Sequence, residues 1–237
     1  MAKSTVVKKL FILFVLLLVI RLVWYNQSPE LRSWVNQKKF YVRHPDVVGG
    51  PCGPLCGGIY EYPKDQALSN TDTLPDFTYD TTKKLLVTGT IYDIDGKPAK
   101  DVIFYIYHSD DTGLYPRKGD ERGADSVHGF IRGWIRTMDD GRYSFYTRRP
   151  GLDIANKNRA HIHCIIKEPR YNEYALSDLV FPDDPWQLEF EKNTAQTENG
   201  GMVKFLPSTD TSLQVCERNI YLGRNIFNYP IKKGKDN

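Results

Sequence analysis

Two of the five histidines stand one residue apart, in the run Asn158-Arg159-Ala160-His161-Ile162-His163-Cys164-Ile165-Ile166. The apolar residues around them read as a buried β-strand, and on a strand side chains at i and i+2 point to one face. His161 and His163 therefore present two imidazoles side by side. That is half of a metal site, of a kind that suits iron, zinc, copper or nickel. A pair of hydrogen-bonded core histidines is the other reading of so short a motif. His44, His108 and His128 are expected at the surface, although His128 stands just before a strand and is a candidate supporting or substitute ligand.

The elements that must position this pair are strands. Leu85–Tyr92 and Val102–His108 are rich in β-branched and aromatic residues, and Asp93–Pro98 supplies a turn between them. Phe130–Thr137 and Tyr143–Thr147 form a further pair around the Asp-Gly turn at Asp140-Gly141. A late strand, Ser212–Leu222, is expected to return to the sheet. Short strands at regular spacing with turn signals predict an all-β fold, a β-sandwich. The expected layout is a signal segment at 1–25, a mostly irregular connector at 26–82, the sandwich at 83–230 and a polar tail at 231–237. Within the connector, a short amphipathic helix is expected around Glu30–Lys39. The Gly/Pro-rich run Val47–Gly58 is read as a tight loop, and Tyr62–Thr82 as a polar surface arm.

Composition limits the functional classes. The chain has 237 residues, 41% hydrophobic and 26% charged, with a net charge of +3; that suffices for a packed core. No basic stripe interleaves with aromatics, so no nucleic-acid partner is implied. Of the four cysteines, Cys52 and Cys56 are close enough for a local disulfide in an oxidising compartment, or are free thiols. Cys164 and Cys216 read as small core residues. Lys3, Lys8 and Lys9 precede the apolar run Leu10–Ile20, which is followed by Arg21 and Trp24-Tyr25. This pattern reads as an uncleaved signal-anchor holding the rest of the chain outside the cytoplasm, with a cleaved secretory signal as the alternative. As a helix, Leu10–Tyr25 would rise about 24 Å, short of a hydrocarbon core of roughly 30 Å.

The order of several fragments is more specific than any one of them. They are Gly89 to Pro98 (G-x-I-x-D-x-D-G-x-P), Thr112 to Tyr115 (T-G-x-Y), Phe130 to Thr147, Pro150-Gly151, and Ala160 to His163. Together they resemble the intradiol ring-cleavage dioxygenases over residues 84–185. The resemblance implies a β-sandwich of that type carrying mononuclear non-haem ferric iron, Fe(3+). It further implies a catechol-type substrate opened by O2 between its two hydroxyl-bearing carbons to a muconate-type diacid. By position His161 and His163 match the histidine ligands, and Tyr115 matches one of two tyrosinate ligands. A homodimer is a further expectation.

Two positions depart from the family pattern. Asp153 stands where the second tyrosine is expected after Pro150-Gly151, and no tyrosine lies between Tyr146 and His163. Asp153 is therefore a candidate anionic ligand and base, or a loop residue beside an incomplete site. Arg159 precedes Ala160, one residue away from the family's arginine, and is the second candidate catalytic residue; Arg132 is read as structural. The expected function is a ferric intradiol dioxygenase. The alternatives are a catalytically silent, membrane-tethered binding or structural module, and a zinc hydrolase built on Tyr/His/His/Asp.

Overall fold

The computed structural model describes residues 12–19, 21, 24, 27–50, 52–80, 83–119, 125–152, 158–186 and 200–230. It divides into two units, Met1–Asp46 and Val47–Asn237. In the first, the expected amphipathic helix is present as Pro29–Arg43. Of the apolar run Leu10–Ile20, residues 12–19 are described, as helix with exposed side chains. Among those described, no helix is long and apolar enough to cross a membrane.

The second unit is a sandwich of two sheets. β1 (Thr71–Thr73), β5 (Arg142–Arg148), β2 (Lys84–Tyr92), β11 (Leu213–Glu217) and β10 (Lys204–Leu206) lie in that order in the first sheet. β12 (Ile220–Tyr221) also pairs with β2. The second sheet runs β4 (Arg132–Arg136), β3 (Ile103–His108), β6 (His161–Lys167), β8 (Ser177–Val180) and β9 (Gly200–Met202). There β7 (Tyr174–Ala175) pairs with β6.

Alternation explains β2: Leu85, Val87 and Ile91 are buried while their neighbours are half-exposed. β3 is different, because all six of its residues are buried. Phe104 and Ile106 point with Ile162, Cys164 and Ile166 into the core between the sheets. Ile103, Tyr105, Tyr107 and Ile165 face the other way, into a second apolar cluster with Cys56 and Ile59. The second sheet therefore has a covered outer face, and the cover comes from residues 52–68.

That cover corrects the reading of residues 47–82 as loop and surface arm. Gly53–Tyr60 is a 3-10 helix begun by a proline in its first turn, and the Cys52–Cys56 disulfide joins its start. Thr71–Thr73 pairs in parallel with β5, and Leu74 and Asp76 are buried. The compact unit begins at Val47, upstream of Lys83, because Val48 and Leu74 belong to its core. Cys164 and Cys216 are buried thiols, as their apolar neighbours suggested.

His108 is buried too, against expectation. Its Nδ1 lies 2.7 Å from the Ser109 carbonyl oxygen and its Nε2 2.7 Å from Thr147 Oγ1. Thr147 donates to Asp76, which also accepts the Arg148 backbone N–H. The histidine thus ties the second sheet to the first and to the segment beneath it.

Candidate metal centre

β6 and β3 are antiparallel neighbours, with Tyr107 opposite His163. The odd-numbered residues of both strands share the outer face, so His161, His163, Tyr105 and Tyr107 lie on it together. Tyr115 arrives from the loop after β3, a loop held by Asp110. The Asp110 carboxylate accepts the backbone N–H groups of Thr112 and Leu114, an Asx-type turn.

The phenol of Tyr115 lies 2.9 Å from His163 Nε2, and His161 Nε2 lies 3.2 Å from the same atom. The far nitrogens are both occupied. His161 Nδ1 is 2.7 Å from the Arg159 carbonyl oxygen and His163 Nδ1 is 2.9 Å from Asp178 Oδ1. A carbonyl or carboxylate oxygen can only accept, so each Nδ1 carries a hydrogen, and a ring without a second proton turns its Nε2 lone pair inward. Two lone pairs at 3.2 Å repel each other unless a cation stands between them. Nitrogens about 2.0–2.1 Å from one metal, at close to a right angle, would stand about 3 Å apart. The arrangement fits a metal ion, which Tyr115, His161 and His163 would hold together.

Burial and charge agree. His161 is 8% exposed, and its pKa is held below the usual histidine value by burial and then by His163, against the opposing pull of the hydrogen bond to the Arg159 carbonyl and of Asp178. The His163 side chain is 28% exposed, so the centre opens to solvent. His161, His163 and Asp178 form a group able to hold a metal ion. Asp178 bonds the ring nitrogen that faces away from His161, so it orients the imidazole and leaves Nε2 for the metal, a common arrangement around metal-bound histidine.

The expected site residues divide as follows. Tyr115, His161 and His163 are brought together. Arg159 is half-buried immediately before β6, its carbonyl oxygen on His161. Asp153 lies outside the described residues. Arg132 pairs with Glu61 at 2.9 Å, a structural contact as expected. His44 is exposed, as expected. His128, expected at the surface, is fully buried; it stacks on Tyr107 with ring centroids 3.7 Å apart and receives the Tyr105 hydroxyl at Nδ1. Sequence reasoning missed Asp178, because nothing in its spacing marks it. It also missed Tyr105 and Tyr107, although their period-two alternation in Ile103–His108 was visible.

A family model described as Dioxygenase matches residues 59–216. The chain belongs to the intradiol dioxygenase family. Within that family, the protocatechuate 3,4-dioxygenase beta chain of Burkholderia cepacia is 27% identical over 177 residues, covering 65% of this chain and 74% of its own. The chlorocatechol 1,2-dioxygenase of Cupriavidus pinatubonensis is 33% identical over 141 residues and 53% of each chain, so this chain spans about half of that relative. A variant of the Acinetobacter radioresistens catechol 1,2-dioxygenase superposes with a TM-score of 0.50 at 17% identity, over 72% of this chain and 63% of its own. That likeness shows an intradiol dioxygenase fold. Catechol-type ring cleavage is the chemistry of the family to which this dioxygenase-like sandwich belongs.

Proposed function

We propose that this chain is a ferric intradiol dioxygenase, binding iron through Tyr115, His161 and His163. It would cleave a catechol-type substrate with O2 to a muconate-type diacid. The single observation behind this is the pair of inward Nε2 lone pairs at 3.2 Å with the Tyr115 phenol beside them. Ferric iron would supply a Lewis acid that binds catechol oxygens and makes the ring reactive toward O2.

The chain's own residues set the conditions for that chemistry. Asp178 and the Arg159 carbonyl hold the two imidazoles in the ligating tautomer. The Tyr115 phenol, once it loses its proton, is a hard anionic donor of the kind that favours ferric over ferrous iron. The Arg159 side chain, beside His161, is assigned to the negative charge of the bound substrate. Asp153 is assigned as base at the position of the missing tyrosine. Carboxylate is a weaker base than phenolate by roughly 6 pKa units, so this chain should favour the more acidic catechols. The Cys52–Cys56 disulfide supports an oxidising compartment outside the cytoplasm.

The test is metal content, colour and oxygen uptake. The purified chain should retain iron and show the visible phenolate-to-ferric band, which Tyr115→Phe removes. Oxygen uptake should follow addition of a catechol. A colourless protein without iron, or one holding zinc and silent with every catechol offered, overturns the proposal.

A further inference from the structure

A row of aromatic side chains leads away from the candidate centre across the outer face of the second sheet. Tyr107 stacks on His163, centroids 4.5 Å apart and planes at 27°. Tyr105 stacks on Tyr107 at 5.6 Å and 27°. Trp134, cross-strand neighbour of Tyr105, stacks on it at 5.2 Å and 28°. Trp134 is half-buried and lines a recess of about 350 Å³ with Pro63, Leu68 and Arg132. The row therefore runs from a histidine of the centre to the protein surface.

Packing alone would be served by phenylalanine and leucine. These rings carry a phenol and an indole, the side chains that lose single electrons most readily, and the phenol of Tyr105 has a dedicated base. Its oxygen lies 2.8 Å from His128 Nδ1 and also bonds Arg132. A guanidinium only donates, so the phenolic proton points to His128. His128 is then the Nε2–H tautomer, with Nε2 buried and lacking a hydrogen-bond partner among the described residues. A second proton on so poorly solvated a ring is held weakly; burial lowers its pKa to about 4. A proton passed to it returns as soon as the phenol can take it back.

We infer that Tyr107, Tyr105 and Trp134 form an electron-transfer path that drains one-electron oxidising equivalents from the centre, with His128 as the reversible proton acceptor of Tyr105. The inference rests on the proposed function for its oxidant, a peroxyl-class radical arising when substrate and O2 react without ring insertion. That radical takes one electron and one solvent proton and becomes a hydroperoxide. The electron comes from Tyr105 through Tyr107, and the phenolic proton of Tyr105 crosses to His128 Nδ1, leaving a neutral phenoxyl radical. An electron from Trp134 and the proton from His128 restore the phenol. An enediol reductant of the ascorbate class then reduces the Trp134 radical cation at the surface, losing one electron and one proton. The imidazole ligands are thereby spared oxidation.

The path is tested without metal. The full chain, stripped of metal, is flashed with a ruthenium tris-bipyridine photo-oxidant, and radicals are followed by transient absorption and electron paramagnetic resonance. The wild type should give a tyrosyl signal with the signature of a hydrogen bond to histidine, forming more slowly in D2O. Tyr105→Phe, which keeps the ring and its stacking, should lose that signal, and Trp134→Phe should lower its yield several-fold. Equal yields and line shapes in all three proteins overturn the path. A second readout needs no variant: mass-spectrometric mapping should find oxidation concentrated at Trp134, whereas modification spread over exposed Tyr60 and Tyr79 overturns it. Failure to retain iron defeats the reading of the centre. An unchanged signal in Tyr105→Phe defeats the path, whatever the iron result.

Discussion

The Asp178 carboxylate lies 2.9 Å from Nδ1 of His163, on the ring edge opposite the one that meets His161 and Tyr115. One hydrogen bond from β8 therefore decides which nitrogen of a β6 histidine is available to a metal. Without it, His163 is able to place its hydrogen on Nε2 and point a donor into the space where a cation belongs.

Asp178→Ala should accordingly weaken metal binding by about 10–100-fold, the usual cost of losing a carboxylate behind a metal-bound histidine. Both partners are partly exposed, so the unfolding midpoint should move little. Titration of the stripped protein with Fe(III) or Co(II), beside a urea melt, separates the two effects. Unchanged affinity would mean that Asp178 does not set the tautomer.

His161→Ala removes one of the two convergent nitrogens and should leave a protein that folds but retains no iron after desalting. The ring touches His163 and the Arg159 carbonyl, outside the core between the sheets. Full iron occupancy in this variant, measured by elemental analysis, would refute the ligand assignment.

Gly58 tests the cover over the outer face. A Cβ built there would stand 2.7 Å from the Tyr105 hydroxyl oxygen and 2.8 Å from its ring, so either the 3-10 helix or the ring must shift. Gly58→Ala should destabilise the fold by about 1–3 kcal/mol, as overpacking does in a filled core. The same shift should disturb the hydrogen bond from Tyr105 to His128. A thermal melt checks the first effect and the flash-generated tyrosyl signal the second.

What was legible in the chain was whatever is local. β-Branched and aromatic alternation placed the strand at Lys84–Tyr92 to within one residue, and H-x-H placed two imidazoles on one face. What failed depended on partners distant in sequence. Val47–Gly58 read as loop because glycine and proline lack regular propensity. Its 3-10 helix instead forms under the side chains of β3, where Cys56 and Ile59 are buried against Tyr105 and Tyr107. His108 and His128 read as surface residues because their type is polar. Thr147 and Tyr105, which hydrogen-bond them in the interior, stand 39 and 23 positions away. Asp178 was invisible for the same reason: its role exists only once β8 lies beside β6.

His128 makes acid stability a readable property. Burial depresses its pKa to about 4 from an ordinary 6.5, so the folded state prefers the neutral ring while the unfolded chain binds the proton more readily. The stabilisation is complete above pH 6.5 and fades as pH falls toward 4. His108 and His161 are shifted in the same direction, also by burial first. His128→Gln should therefore flatten, without abolishing, the decline of the urea midpoint between pH 6.5 and 4. Parallel curves for the two proteins would mean that His128 does not contribute to the slope.

Glu168 has the opposite sign. It follows β6, is buried, and accepts the hydroxyls of Tyr174 and Tyr229. Burial raises its pKa, with the two phenols and Lys167 opposing that rise. A carboxyl whose folded pKa is raised contributes stability that is full below its unfolded value and is lost as pH climbs through the folded one. The wild type should thus give up part of its stability on the way from the ordinary carboxylate range toward neutrality. Glu168→Gln cannot ionise and should be free of that loss, so its deficit relative to wild type shrinks as pH rises. Tyr229→Phe removes one donor to the ionised carboxylate, pushes the pKa further up and moves the loss to higher pH. Urea midpoints for the three proteins, measured from pH 4.5 to 7.5, decide the matter. A Glu168→Gln deficit that grows with pH would show that the two phenols stabilise the carboxylate by more than burial costs it.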